Sequence, residues 1–208
     1  MALVALTGWA ALVLQGHAVL DHSIQHGISP GTALGNFLSY FTILTCTIAS
    51  LSLSVGLVFP ASRLNRFFRQ PSVETSIAGC LLNACIVYHV VLAPAWHHGG
   101  HRWWGVLHDV LPGAYILYWL LFVPKGRLHW GLPVIWMAYP LSYWLFTLWR
   151  GAATGFFPYP YLDITAVGCA RVLSNLFYFM GSLAIVFYCL VAVDRWMGKH
   201  FDKIFLRK

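Results

Sequence analysis

Thr42, His89, His108, Asp109 and Arg171 are polar residues set inside otherwise apolar stretches of this chain. Their types supply the parts of an acyl-transfer site. A Thr hydroxyl is a weak nucleophile alone and becomes a useful one when a base lies within about 2.6–3.2 Å. An imidazole with a near-neutral pKa can take that proton and return it to a leaving alcohol. Asp109 or Asp163 would orient the imidazole. Arg171, Asn175 or Asn36 would face the oxyanion of a tetrahedral intermediate. His89 is a reserve base beside His108. Each residue also has a plainer role: a Thr within a span commonly bonds the carbonyl one turn earlier, here Leu38, and His108 suits the headgroup level.

The elements that must position these groups follow from composition. The chain has 208 residues, of which 59% are hydrophobic, 9% charged and 16% aromatic. A soluble domain carries about 25% charged residues, so this deficit means that lipid covers most of the surface. The net charge of +7 does not indicate nucleic acid, because the basic residues flank apolar spans and are not interleaved along a binding face. Six spans of near-membrane length follow one another, at about 2–20, 33–58, 73–95, 105–123, 130–149 and 163–193. The expected fold is an all-α polytopic membrane bundle, with a six-helix transmembrane domain over 1–194 and a basic amphipathic tail over 195–208 on the inner surface. The first segment lacks a basic n-region and reads as a retained helix.

Charge placement orients the bundle. Arg63, Arg66 and Arg69, then Lys125 and Arg127, then Arg195, Lys199, Lys203, Arg207 and Lys208 make up ten of the 13 Lys and Arg. They follow spans two, four and six, which puts both termini in the cytoplasm. At the helical rise, Thr42 then lies about 13 Å below the outer face, Arg171 about 12 Å, His89 about 9 Å and His108 about 5 Å. Ser39, Thr42 and Cys46 share a helical face, as do His108, Pro112 and Tyr115, and Arg171, Asn175 and Tyr178. Three polar stripes are therefore expected to meet in the outer leaflet, with far fewer ionisable groups in the inner halves.

Several classes of chemistry lack their signatures. There is no GxGxxG, P-loop or HExxH. The five Cys all lie within apolar spans and read as small core residues. His97, His98 and His101 have no Cys or carboxylate at ligand spacing, so no metal and no cofactor is expected. Trp130, Trp149 and Tyr159 read as an interfacial aromatic belt.

The segment from Asn36 to Thr45, with Phe37-Leu-Ser-Tyr-Phe-Thr42 inside it, resembles a signature of small bacterial six-span membrane proteins similar to the androgen-induced protein family of animals, the family of the androgen-dependent TFPI-regulating protein. Tyr88-His-Val-Val-Leu-Ala93, Leu107-His-Asp-Val-Leu-Pro112 and Tyr159-Pro-Tyr-Leu-Asp163, followed by Gly168 and Arg171, agree with it. The likeness covers spans two to six. It implies a membrane threonine hydrolase, in a bacterial inner (plasma) membrane, cleaving esters in which a hydroxy fatty acid carries a second acyl chain. It implies Thr42 as nucleophile and His108 as base. The family's His-to-Pro spacing is one residue longer than His108 to Pro112, which keeps His89 in reserve.

Two other classes compete. One is a non-enzymatic lipid-binding or transport protein that holds a carboxylate or headgroup through Arg171; the lack of a two-fold repeat and of matched broken spans speaks against transport. The other binds haem or quinone through His17, His89 and His108. In every reading the partners are the bilayer and a lipid or fatty-acyl ester, and nothing in the sequence specifies an oligomeric state.

Overall fold

The computed structural model describes residues 1–92 and 105–205, and among these every regular element is helical. The cluster His97, His98 and His101, with Trp96, Trp103 and Trp104, lies outside the described residues. Helix α1 spans Ala2–Gln25 and α2 Pro30–Phe37. Helix α3 spans Phe41–Val58 and α4 Arg63–Phe68. Helix α5 spans Pro71–Val87 and ends in a π turn, Tyr88–Leu92. A second π turn, Val106–Val110, leads into α6, Leu111–Phe122. Helix α7 covers Leu132–Trp136 and α8 Ala138–Thr154. A 3₁₀ turn, Pro160–Leu162, precedes α9, Ile164–Val167, and α10 covers Cys169–Phe205.

Four stretches, Ala2–Gln25, Phe41–Val58, Pro71–Leu92 and Cys169–His200, are long and apolar enough to cross a bilayer. The chain is thus a membrane-embedded helical protein. Its outer faces carry large apolar side chains such as Leu3, Leu117, Phe177 and Ile185. Helices α3 and α5 form the centre. One packed cluster joins them to α1 and α6 through Ile43, Leu53, Leu81 and Leu111. A second joins them to α8 and α10 through Phe41, Ala84, Trp144 and Phe187.

The elements differ from the expected spans in three places. The second span is not continuous: α2 stops at Phe37, and Tyr40 is extended (φ −78°, ψ 132°) before α3 begins. The fifth is split into α7 and α8. The sixth begins at Cys169, because Gly168 has φ +80° and separates α9 from α10. Helix α10 is 37 residues long and passes residue 194 without interruption.

The end of the bundle where α3 stops and α5 starts is more polar than expected. Glu74 is buried and pairs with Arg69 at 2.8 Å. Tyr118 donates to the Glu74 carboxylate at 2.7 Å and accepts from Arg69, whose second Nη donates to the Ser52 carbonyl at 3.0 Å. Glu74 sits one turn into α5 after an apolar-looking start, and only the packing of α4 and α6 shows that it faces inward. The three basic stretches share this end of the bundle. Gly126 N–H donates to the Asp194 carbonyl at 3.1 Å, and Arg195 donates to the Leu128 carbonyl at 3.0 Å. Here α10 and the α6–α7 loop touch backbone to backbone: a Cβ on Gly198 would lie 2.4 Å from Gly126 Cα.

Candidate active site

Thr42 is the second residue of α3, so no helical turn precedes it. Its hydroxyl therefore has no carbonyl one turn back to bond. Thr47, in mid-helix, does bond back, to the Ile43 carbonyl at 2.7 Å. The Thr42 hydroxyl instead lies 3.1 Å from His108 Nε2, on the π turn before α6. Both side chains are buried, at 4% and 2% exposure. For the hydroxyl to donate to Nε2, the neutral ring carries its proton on Nδ1.

One ring stacks on the imidazole, and two further contacts hold the turn that carries it. Tyr88, from the other π turn, stacks on it with ring centroids 4.0 Å apart and planes at 20°. The Cys46 thiol, one turn below Thr42, contacts the Leu107 carbonyl at 3.6 Å and ties α3 to the His108 turn. His89 and Asp109 join the two π turns through a 2.6 Å contact. A π turn holds one more residue per turn than the α-helix and re-aims the side chains on it, which is why such turns concentrate at functional sites.

The electrostatics at Thr42 favour negative charge. The first N–H groups of a helix have no intrahelical acceptor and carry the positive end of its dipole. The Tyr159 phenol lies against the Thr42 hydroxyl and the backbone N–H groups of Phe41 and Thr42. Burial pushes this phenol well above its usual range, so it stays neutral and able to donate. Tyr159 is 4% exposed, stacked on Tyr161 at 5.1 Å and set edge-on to Tyr40 at 5.4 Å. It belongs to the site and not to the interfacial belt, because the loop after α8 folds back over α3.

The remaining candidates are placed elsewhere. Asp109 turns to His89, not to His108 or Arg171. Asp163 caps α9; hydrogen bonds from the Thr165 side chain, and from the Thr165 and Ala166 amides, hold its carboxyl below the usual range. Asn36 accepts from Arg150 at 2.8 Å, and Asn175 donates to the Tyr161 carbonyl at 2.9 Å. Arg171 is exposed, as is Tyr178, so the expected α10 stripe does not face Thr42. Ser39 lies off α3 and bonds the Gly35 carbonyl at 2.6 Å. The three haem-ligand candidates are engaged separately: His17 with Asp21 at 2.8 Å, His89 with Asp109 and His108 with Thr42.

Two spaces adjoin the site. A small one, about 10 Å³, is lined by Phe41, Thr42, Tyr143, Tyr159, Tyr161 and Phe179 among others. An apolar groove of about 340 Å³ lies between α5 and α10, lined by Val90, Val91, Tyr178 and Ser182 among others. Val87, Tyr161 and Phe179 line both.

Sequence reasoning missed Tyr159 and Tyr88 as site residues. Both stood in the motifs quoted above, but nothing local distinguishes a buried Tyr from one at the membrane interface. Compared with known proteins, the chain matches no family model, no curated protein and no solved structure.

Proposed function

We propose that this protein is an integral membrane hydrolase that cleaves fatty-acyl esters, of the type in which one acyl chain is carried on the hydroxyl of another. Thr42 is the nucleophile and His108 its base. The observation that carries the reading is the buried 3.1 Å approach of the Thr42 hydroxyl to His108 Nε2. This is the reach required of an activated nucleophile and its base.

The steps follow from the geometry. His108 takes the Thr42 proton as Oγ1 attacks the ester carbonyl. The oxyanion forms beside the Tyr159 O–H and the first N–H groups of α3, donors already fixed in place and shielded from water. His108 then returns the proton to the leaving alcohol, and a second cycle with water as nucleophile releases the acid. The groove between α5 and α10 supports lateral entry of an acyl chain from the bilayer, past Val87, Tyr161 and Phe179. Its lining is apolar, as an acyl chain requires.

We further place the chain in a bacterial inner membrane with six crossings and both termini in the cytoplasm. The clustering of the basic stretches at one end supports this orientation. Helices α6 and α8 would be the two shorter crossings, and the Thr42–His108 pair would open to the outer leaflet.

The test is active-site labelling. A serine-hydrolase-type fluorophosphonate should label the detergent-purified protein at Thr42, identified by peptide mass. Thr42→Ala should abolish both labelling and ester turnover while the protein still elutes as a folded species. His108→Ala should lower turnover by about a hundredfold or more, the range of a positioned general base. Undiminished labelling of folded Thr42→Ala would remove the proposal and leave a lipid-binding protein.

A further inference from the structure

A second cluster of chemistry-bearing side chains sits beside the Thr42–His108 pair and takes no part in the steps above. It consists of Cys85 on α5, His89 on the π turn that ends α5, and Asp109 on the π turn that starts α6. One donor atom from each, the Cys85 sulfur, a His89 ring nitrogen and an Asp109 oxygen, lies within 4.8 Å of the other two. His89 Nε2 and Asp109 Oδ1 are 2.6 Å apart. Cys85 is partly buried, and the His89 and Asp109 side chains are 53% and 46% exposed, so an ion has a path of entry.

From this arrangement we infer that Cys85, His89 and Asp109 form a binding site for a zinc-type divalent metal ion. The donor set decides the class of ion. Thiolate and imidazole are ligands that Ca²⁺ and Mg²⁺ do not select, whereas zinc takes sulfur, nitrogen and carboxylate oxygen together. Charge points the same way. One thiolate and one carboxylate neutralise a dication, and a neutral assembly is the one that a membrane-embedded position tolerates. Tetrahedral zinc bonds of about 2.0–2.3 Å place neighbouring donors roughly 3.2–3.7 Å apart. The three donors lie within 4.8 Å of one another, so the sulfur has to close by at most about 1 Å, and the His89–Asp109 contact opens by about 1 Å as the metal comes between them. Cys85 and His89 are spaced i, i+4 and so face the same way, and Asp109 closes the site from the adjacent helix.

Binding forms Zn–S, Zn–N and Zn–O bonds: the thiol proton goes to solvent, and the neutral His89 ring gives up its Nε2 proton and carries one on Nδ1, so no oxidant or reductant is involved. Three protein ligands leave the fourth position to water. The site clamps the two π turns to each other. One of them carries Tyr88, next to His89 in sequence and stacked on His108; the other carries His108 itself. Metal occupancy therefore fixes the ring that faces Thr42. The binding claim does not depend on the hydrolase reading.

The test uses cobalt as a spectroscopic stand-in for zinc. Detergent-purified protein is stripped with chelator and titrated with Co²⁺. One equivalent should produce a thiolate-to-cobalt charge-transfer band in the near ultraviolet, which Zn²⁺ then displaces. Cys85→Ser should lose the band, and Cys80→Ser and Cys189→Ser should keep it. His89→Ala and Asp109→Asn should each weaken binding about tenfold or more. Zn²⁺ should also slow maleimide alkylation of Cys85, read by peptide mass, while leaving the exposed Cys169 and Cys189 unaffected; this arm uses the unsubstituted protein and so survives a variant that fails to fold. No thiolate band at saturating Co²⁺, a band that persists in Cys85→Ser, or no protection of Cys85 would each overturn the site.

Discussion

Tyr159→Phe removes one oxygen from the site and leaves its packing in place. The ring keeps its stack on Tyr161 and its edge contact with Tyr40. The change leaves the buried partners of the phenol without it, which costs about 1–3 kcal/mol of stability. That lowers the melting temperature by roughly 2–4 °C per kcal/mol for a chain of this size. Catalysis should suffer more. Thr42 and Tyr159 are each 4% exposed, so the donor acts on developing charge without competition from water. Removing one fixed oxyanion donor lowers kcat by about 10²–10³, or roughly 2.7–4 kcal/mol of transition-state stabilisation. The first N–H groups of α3 remain, so activity should fall but not vanish. KM should barely change, because the ground-state carbonyl carries little of the charge that the donor stabilises. The assay is hydrolysis of a fatty acid ester of a hydroxy fatty acid in detergent micelles, with kcat and KM separated and the temperature held well below the variant's melting point. A kcat within about threefold of the parent would show Tyr159 to be packing alone. A rise in KM at unchanged kcat would place it in substrate binding.

Three other substitutions probe the frame around the site. Arg171→Gln should leave ester turnover within about twofold, since an exposed side chain away from Thr42 contributes little to the transition state; a hundredfold loss would return Arg171 to the reaction. Gly198→Ala forces a Cβ to 2.4 Å from Gly126 Cα, so thermal unfolding should show a loss of about 1–3 kcal/mol, as overpacking does. An unchanged melting temperature there would mean that α10 and the α6–α7 loop do not meet. Glu74→Ala strands the Arg69 guanidinium against Tyr118 and the Ser52 carbonyl and should cost about 3–5 kcal/mol, read by the same unfolding assay, with restoration of part of it in the Arg69→Met, Glu74→Leu double variant.

The sequence by itself determined the material of this protein and its polarity. Long apolar stretches with few charges can be stable only as lipid-covered helices, and basic residues gathered after alternate spans mark one end, because moving a cation across lipid is expensive. It also placed Thr42 and His108 in the same half of their spans, which is a matter of counting residues along helices. What it could not supply is the break at residues 38–40. No Gly or Pro stands there. The helix yields because other elements satisfy its backbone and flank: Tyr143 donates to the Ser39 carbonyl at 2.9 Å, and Arg150 holds Asn36 at 2.8 Å. That break makes Thr42 the start of a helix and frees its hydroxyl for His108. The facing of Tyr159 and Tyr88, the turning of Asp109 towards His89 and the exposure of Arg171 were likewise decided by tertiary packing. Helical periodicity orders residues around one axis, and the rotation of one axis against another is set only when side chains from several helices compete for the same space.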